Sequence, residues 1–432
     1  MPKRILFNTF GSYGDVHPYL AIALELQRRG YQPVIATMEA YRDKVEALGI
    51  EFHPVRPSIG VTDVQRVFEH PMRGPEHLLR NILIPSLPDS YADVMEAAKG
   101  ADIIVTHTCT YAGAIAAESL KLPWISTVLS PVAFFSAHES IVVPPMPLLQ
   151  RLLTTSPAAN GALIALVKYV SRMWARPIVR FRTELGLPRG GHPIFEGLHS
   201  PQCVLALFSR ALAQPQRDWP ANTHLTGFVF HDEIALGLEP ALERFLVGGP
   251  PPVAFTLGSA VVHLDGDFYA IASRIAHRLG LRAVLLVGDN PSNLANVRLS
   301  NNVAAFEYAP FAKLFTRAQA VVHQGGIGTT AQALRAGRPT VVVPHAYDQP
   351  DTAARVERLG VARSVHKNAL SEKTLEAALS DVLGDPRYAA RAQDVAGIVR
   401  SEDGVATACD AIERHLALST RPALQSQNLC LR

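Results

Sequence analysis

The segment His323-Gln324-Gly325-Gly326-Ile327-Gly328-Thr329-Thr330 decides how the rest of the chain is interpreted. The apolar residues 320–323 that lead into it predict a short buried strand, and a helix is predicted to begin at about Thr329. A glycine-rich turn between a strand and a helix gathers bare backbone N–H groups and the positive end of the helix dipole at one point. His323 and Thr329 add side-chain donors there. The segment therefore predicts a site for a phosphate-bearing ligand, most simply a diphosphate.

Short apolar strands alternate with helices on both sides of this turn. The predicted strands cover 4–10, 33–37, 50–54, 101–106 and 124–129 in the first half, and 253–257, 282–287, 303–306, 320–323 and 340–343 in the second. The predicted helices include 17–29, 268–278, 311–317, 329–336 and 349–359. This alternation predicts an α/β fold made of two Rossmann-like domains in tandem, each with a parallel sheet covered on both faces.

The length of the chain and its polar and proline-containing stretches suggest where the domains divide. A chain of 432 residues is too long for one ordinary core. Polar and proline-broken stretches place a hinge near 215–235. We therefore predict an N-terminal domain over 1–225, a C-terminal domain over 226–400, a final helix over 401–418 and a flexible tail over 419–432.

Composition excludes several classes of protein. The formal net charge is only +3, which gives no case for a nucleic-acid partner. Four scattered cysteines without C-x-x-C spacing predict neither a zinc site nor a disulfide framework. The apolar run after Arg4 is too short for a signal peptide, and no apolar run is long enough to span a membrane. The expectation is a bacterial cytoplasmic protein.

Several motifs together resemble a known family. The run His323 to Thr329, with Gly337-Arg338-Pro339, Pro344 and Asp348-Gln349 after it, is similar to the donor-binding signature of GT-B glycosyltransferases of the UDP-glycosyltransferase superfamily. Further similarity lies in Gly11 to Pro18, Ser200-Pro201-Gln202 and Asp218-Trp219-Pro220. The nearest likeness is to the rhamnosyltransferase chain of bacterial rhamnolipid synthesis. The resemblance implies two domains facing across a cleft, with the last helix crossing back onto the first domain.

The resemblance also assigns the donor residues. His323 would bond the diphosphate, which Gly325, Gly326, Gly328 and Thr329 would cradle. Ser259 would approach the same phosphates, Tyr308 would stack on the base, and Asp348 and Gln349 would bind sugar hydroxyls. Plant relatives carry a ribose-binding glutamate where Ala331 stands, so the choice between UDP- and dTDP-sugars stays open.

Asp15 is the predicted general base. One interpretation makes it only the N-cap of the following helix. In the other, its carboxylate removes the proton of an acceptor hydroxyl during attack on the anomeric carbon. His107 follows a predicted strand and would assist Asp15, unless it is a buried structural imidazole. His17 and Gly14 are placed on the acceptor side, although a solvated His17 is the simpler interpretation.

The long region 130–182 is predicted to face the acceptor. Phe134 and Phe135 would contact a lipophilic acceptor. The stretch 161–182 combines apolar residues with Lys168, Arg172, Arg176 and Arg180, a basic face that Pro177 should disturb. The face is either simply solvated or a peripheral contact with anionic lipid at the inner membrane.

The sequence thus predicts an inverting glycosyltransferase that moves a hexosyl group from a UDP- or dTDP-sugar to the hydroxyl of a small lipophilic acceptor, such as a hydroxy fatty acid or an aglycone in glycolipid or secondary-metabolite biosynthesis. Neither a metal nor a resident cofactor is expected, because His323 and the helix end can stabilise the leaving diphosphate. The alternatives are a sugar-nucleotide epimerase, a non-catalytic binding subunit and, less compatible with the glycine spacing, a nicotinamide dehydrogenase.

Overall fold

The computed structural model describes residues 2–69, 73–139, 142, 156–232, 237–264 and 266–419. Two all-parallel sheets organise these residues, with strand orders β3-β2-β1-β4-β5-β6-β7 and β10-β9-β8-β11-β12-β13. The predicted fold of two Rossmann-like domains is confirmed. Most strands are buried along their whole length, as expected for parallel sheets covered by helices on both faces.

The first sheet and its helices take up the first half of the chain. Its strands are β1 (Arg4–Asn8), β2 (Gln32–Thr37), β3 (Glu51–Pro54), β4 (Ile103–Thr106), β5 (Trp124–Val128), β6 (Val204–Ala206) and β7 (Thr223–Leu225). The helices are α1 (Tyr13–Arg28), α2 (Arg42–Ala47), α3 (Val61–Glu69), α4 (Gly74–His77), α5 (Leu87–Ala97), α6 (Tyr111–Leu120) and α7 (Pro157–Glu184), with a π-helical stretch at Leu78–Leu83.

The second sheet follows the same plan. Its strands are β8 (Val253–Thr256), β9 (Ala283–Leu286), β10 (Val303–Phe306), β11 (Ala320–His323), β12 (Thr340–Val342) and β13 (Ala362–Ser364). The helices are α8 (Pro240–Val247), α9 (Gly258–Val261), α10 (Phe268–Arg278), α11 (Phe311–Leu314), α12 (Ile327–Ala336), α13 (Gln349–Arg358), α14 (Glu372–Gly384), α15 (Pro386–Arg400) and α16 (Gly404–Ser419).

Each sheet has one point where the order of its strands reverses. In the first sheet β1 lies beside β4, and in the second β8 lies beside β11. Ligands of open parallel sheets bind at the carboxyl ends of strands at such switch points. The turns after these four strands carry Asp15, His107, Ser259 and the segment that begins at His323.

The last helix returns to the first domain. On α16, Cys409 and Ile412 belong to the same buried cluster as Tyr19 and Leu26 of α1. Arg29, just after α1, bonds both Asp410 at 2.6 Å and Glu413 at 2.8 Å. The predicted tail lies outside the described residues from 420 onward.

Helix α1 begins earlier than predicted, which changes the role of Asp15. Ser12 is the N-cap, and Asp15 is the third residue of the helix. The Asp15 carboxylate accepts the Ser12 backbone N–H at 2.7 Å, one half of a capping box. The expectation that Asp15 is the N-cap is therefore wrong, because the serine three residues earlier takes that position.

Helix α7 continues through Pro177, contrary to the expected disturbance. A proline inside a helix costs about 3 kcal/mol. Contacts beyond it hold the last turns in register: Ile178 is buried, and Arg182 makes a bidentate pair with Glu118 at 3.0 and 2.7 Å. The burial of Ile178 and the ion pair between Arg182 and Glu118 thus compensate for the backbone hydrogen bond that Pro177 removes.

Candidate active site

His323 stands at the carboxyl end of β11 with no exposed surface. Its Nδ1 accepts the Gly325 N–H at 3.0 Å, so the ring proton of the neutral imidazole must be on Nε2. Burial lowers the pKa of His323 to about 3, which keeps the ring neutral near pH 7. Nε2 has no hydrogen-bond partner within the described residues. The result is a buried N–H donor of the kind that a ligand oxygen satisfies.

The backbone N–H groups that this turn leaves free to bind phosphate differ from those predicted. The Gly325 N–H is engaged by His323, so it orients the imidazole and is not available to hold phosphate as predicted. The first turn of α12 starts at Ile327 after the N-cap Gly326, two residues earlier than expected. The backbone N–H groups of Ile327, Gly328 and Thr329 are therefore the ones that the helix leaves unpaired.

Gln324 joins the two donor-side turns and was missed by sequence reasoning. It is buried, and its Nε2 lies where a Cβ on Gly258 would come within 2.2 Å and one on Gly326 within 2.7 Å. Gly258 itself has φ +65°. At Gly258, where a side chain would both strain the backbone and meet Gln324, glycine lets the turn that carries the exposed Ser259 approach the turn after β11. The position of Gln324 between His323 and Gly325 was the available signal.

The predicted sugar-binding pair begins α13. Gln349 is buried, and its Oε1 accepts the N–H groups of His345 at 2.9 Å and Ala346 at 3.3 Å, which ties down the loop after β12. Asp348 is partly buried. Burial first, and then the negative charge of Asp15, raise the pKa of Asp348 to about 7. The donor loop and Asp15 therefore share one electrostatic environment.

Tyr308 follows β10, at the edge of the second sheet. Half of its surface is exposed, which leaves its ring accessible at the surface.

Across the cleft, the structure brings Asp15 and His107 together. His107 Nε2 lies 3.6 Å from Asp15 Oδ1, while Oδ2 accepts the Ser12 N–H and, at 3.1 Å, the Ser12 hydroxyl. His107 is buried, and this burial lowers its pKa although the charge of Asp15 opposes the change. A neutral imidazole thus stands against one carboxylate oxygen, and a capping box fixes the other.

The turn after β1 and the turn after β11 approach each other directly. A Cβ built on Gly328 would lie 3.9 Å from Gly14 Cα. On the acceptor side a Cβ on Gly11, where φ is +134°, would come within 2.3 Å of Asp15 Oδ2, so glycine is required there. The two switch points therefore face one another across a narrow gap.

The structure describes the surroundings of three predicted acceptor-side residues, of which only Phe134 is buried in the core. His17 is not a solvated residue: it is partly buried, with its ring centroid 5.2 Å from that of Tyr13 and 5.1 Å from that of His231. Phe134 is a core residue, stacked 4.2 Å from Trp219. Phe135 is partly buried and packs edge-on against the buried Phe195 at 4.7 Å. An apolar run alone did not separate residues that line a cleft from residues that fill the core.

A small cavity of about 20 Å³ lies near Asp15, since Thr9, which lines it, donates its hydroxyl proton to the Asp15 carbonyl at 2.8 Å. The sequence did not reveal this cavity, because its walls come from separate segments of the first domain. Its apolar lining includes Phe10, Val55, Leu83, Leu87, Cys109 and Ala112. Asn8, Arg56, Ser90 and Thr110 add polar groups. The negative charge of Asp15 reaches the thiol of Cys109 and, after burial, helps to raise its pKa to about 12.

Helix α7 presents a mixed surface at 161–182. Lys168 pairs with Glu196 at 2.5 Å and Arg180 with Glu184 at 2.7 Å, while Arg182 is buried. Arg172 and Arg176 are exposed and make no ion pair within the described residues. Beside them Leu166, Tyr169, Val170 and Met173 are all about half exposed or more. None of the helices in the described ranges is long and apolar enough to cross a bilayer.

Comparison with known proteins gives this arrangement a family. Residues 5–137 match the glycosyltransferase family 28 N-terminal domain, and residues 283–409 match the erythromycin biosynthesis protein CIII-like C-terminal domain. The chain is 34% identical over 428 residues to the O-mycaminosyltylonolide 6-deoxyallosyltransferase of Streptomyces fradiae, covering 95% of this chain and 97% of that protein. The chain belongs to the GT-B nucleotide-sugar glycosyltransferases.

This glycosyltransferase also has more distant relatives. It is 29% identical to the sterol 3-beta-glucosyltransferase of Aspergillus fumigatus, over 98% of this chain but only 30% of that longer protein. The spinosyn rhamnosyltransferase SpnG, solved with thymidine diphosphate, shares the fold with a TM-score of 0.68 at 18% identity, over 95% of this chain and 100% of that one. The predicted nearest likeness to rhamnolipid rhamnosyltransferases is wrong, because the relative with 34% identity is a macrolide sugar transferase.

Proposed function

We propose that this glycosyltransferase moves a hexosyl group, with inversion, from a dTDP- or UDP-sugar to a hydroxyl of a small lipophilic acceptor. The observation that carries the proposal is the pair of facing turns: a buried, neutral His323 with an unpartnered Nε2–H on one side, and Asp15 with His107 on the other. One side suits a diphosphate leaving group. The other suits a hydroxyl nucleophile.

In the proposed reaction the acceptor oxygen attacks the anomeric carbon as its proton passes to Asp15. A new C–O bond forms, and the bond between the anomeric carbon and the diphosphate oxygen breaks with its electron pair. The negative charge that develops on the diphosphate meets His323 Nε2–H and the unpaired N–H groups of α12. Asp348 and Gln349 hold the sugar, and Ser259 and Tyr308 the phosphates and base.

A thymidine-type donor is favoured over a uridine-type donor. SpnG carries thymidine diphosphate, and Ala331 replaces the ribose-binding glutamate of plant UDP-sugar enzymes. The hydroxyl acceptor is assigned to the first-domain side of the gap between the two turns, where about a third of the Asp15 side chain is exposed. The bulky ring systems named in both relatives, a macrolide and a sterol, would lie outside the small cavity near Asp15, which has room for about one water molecule.

A thermal-shift screen of dTDP, UDP and their glucose conjugates tests the donor assignment. A bound nucleotide raises the melting temperature by mass action, and dTDP is expected to give the larger shift. A larger shift with UDP would overturn the base assignment alone. No shift with any of the four compounds would overturn the donor site.

The proposal requires no resident metal or cofactor. His323 and the helix terminus supply the positive potential that a divalent cation provides in other sites. Transfer measured after treatment with EDTA should therefore proceed at the untreated rate. A loss of activity that Mg²⁺ restores would contradict this part of the proposal.

We further propose that α7 docks on an anionic bilayer, where lipophilic acceptors concentrate. Leu166, Tyr169, Val170 and Met173 recur at helical spacing on one exposed face, and Arg172 and Arg176 complement lipid phosphates.

Vesicle sedimentation tests this docking. The protein should sediment with phosphatidylglycerol vesicles but not with phosphatidylcholine vesicles. The double variant Tyr169→Ser, Met173→Ser should lose this binding, while Val247→Ser, exposed on α8, should keep it. Equal sedimentation of all three proteins, or a change only in self-association, would overturn the proposal.

A further inference from the structure

One stretch of the first domain reaches the second domain beside the donor site. We call the described residues 57–69 and 73–90 the bridging segment. Gln65 Nε2 donates to the His263 carbonyl at 3.1 Å, just after α9, which carries Ser259. Lys367 Nζ donates to the Phe68 carbonyl at 3.1 Å. The segment is therefore bonded to two loops at the carboxyl edge of the second sheet.

A third contact reaches the residue next to Asp348. The ring centroids of Phe68 and Tyr347 lie 5.0 Å apart, and Tyr347 Oη donates to the Val67 carbonyl at 3.3 Å. Gly74 lies against the same carbonyl, since a Cβ there would come within 1.9 Å of the Val67 oxygen. The aromatic ring of Tyr347 is thus held between α3 and α4 of the other domain.

Tyr347 needs such support because its backbone is strained. Its φ is +58°, in the left-handed region that a tyrosine rarely adopts. Strained residues persist where their surroundings over-determine them. This conformation sets the direction in which the chain enters α13, and so the placement of Asp348 and Gln349.

The same segment also lines the small cavity near Asp15. Pro57 precedes α3, and Leu83, Leu87 and Ser90 follow α4; all four are lining residues. The bridging segment therefore contributes residues from both of its ends to this cavity and contacts loops of the second domain through residues between them.

We propose that the contact between Phe68 and Tyr347 is a positioning device: it holds the sugar-binding residues Asp348 and Gln349 in place and links them to the first domain. The assignment of sugar binding to these residues rests on the proposed function. The diphosphate is held elsewhere, by His323 and the first turn of α12. The device acts on the sugar part of the donor and not on the nucleotide diphosphate.

Hydrogen exchange of the free protein tests the first part without any ligand. In Phe68→Ala the amides of 345–352 should exchange about fivefold faster than in the wild type, because a contact across the domains is lost. Arg66→Ala is the matched control, since Arg66 is an exposed residue of the same helix. Unchanged exchange in Phe68→Ala would overturn the proposal.

Ligand affinities test the second part. In Phe68→Ala the Kd for dTDP should stay within about twofold, while the Kd for dTDP-glucose should rise about fivefold. Tyr347→Phe, which keeps the ring but loses the bond to Val67, should lie between the wild type and Phe68→Ala. A merely structural defect would weaken both ligands alike, and that result would overturn the proposal. Failure of the wild type to bind dTDP or UDP would instead reject the proposed function, while the exchange experiment still decides the positioning role.

Discussion

The turn after β11 and the turn after β1 occupy equivalent switch-point positions in the two sheets, but they present their polar groups differently. His323 is fully buried, kept neutral and oriented by one backbone N–H. Asp15 keeps about a third of its side chain exposed and is anchored by Ser12 through one oxygen only. A buried donor suits a fixed diphosphate, whereas a partly open carboxylate can meet an incoming hydroxyl. Under the proposed function, the same fold position would serve binding in one domain and proton transfer in the other.

The largest expected effect on sugar transfer follows from removal of the proposed base, Asp15. Asp15→Asn keeps an oxygen to accept the Ser12 N–H but cannot take a proton, so transfer should fall about 10³-fold. Nucleotide affinity should not change, because the diphosphate lies on the other side of the cleft. Initial rates and the thermal shift with dTDP measure the two effects. Transfer within about tenfold of the wild type would remove Asp15 from the role of base.

Nucleotide binding by the turn after β11 can be tested separately. His323→Ala removes the unpartnered Nε2–H and also the acceptor of the Gly325 N–H, so the Kd for dTDP should rise about tenfold or more. Titration calorimetry measures this affinity. His277→Ala, in the last turn of α10 and bonded to Ser300, is a control that should bind normally. An unchanged Kd in His323→Ala would contradict the donor assignment.

His107 provides a further test of the role of Asp15, because it is proposed to act on the reaction only through Asp15. His107→Leu should lower the transfer rate about tenfold. His107→Gln, which keeps an N–H that can face Asp15 Oδ1, should retain most of the rate. An equal loss of rate in His107→Leu and His107→Gln would make His107 a packing residue only.

The smallest expected effect concerns Asp348 and the pH dependence of stability. Its pKa is raised to about 7 in the folded protein, so the folded state holds a proton that the unfolded state releases near pH 4. Stability should therefore fall as pH rises from about 4 through about 7, by about 1 kcal/mol for a partly exposed group. Asp348→Asn lacks this loss, so its stability relative to the wild type should be higher at pH 8 than at pH 4 in urea unfolding. An equal difference at both pH values would contradict the raised pKa of Asp348.

Sequence reasoning succeeded where one short segment determines the structure. Residues 320–323 were predicted as a strand and form β11, and 268–278 and 303–306 also have their predicted bounds. Alternation of apolar strands and helices was enough to predict two parallel sheets. Residues at strand ends meet at one edge of a sheet, which is why His107 could be expected near Asp15.

Features assembled from distant segments could not be predicted. The cavity near Asp15 combines residues from 8 to 112, none of them in a recognisable motif. Phe134 lies in an apolar region that was predicted to face the acceptor. Its stacking on Trp219 depends on tertiary packing that periodicity does not encode. The contact of Phe68 with Tyr347 joins two domains and leaves no local pattern.

The return of α16 to α1 has a consequence for synthesis on the ribosome. Ile22, Ala23 and Leu26 of α1 are completed as a core only by Cys409 and Ile412, close to four hundred residues later. While the chain is being made, this side of the first domain must stay uncovered until α16 has been synthesised. The first domain, although made before the second, is thus sealed after it.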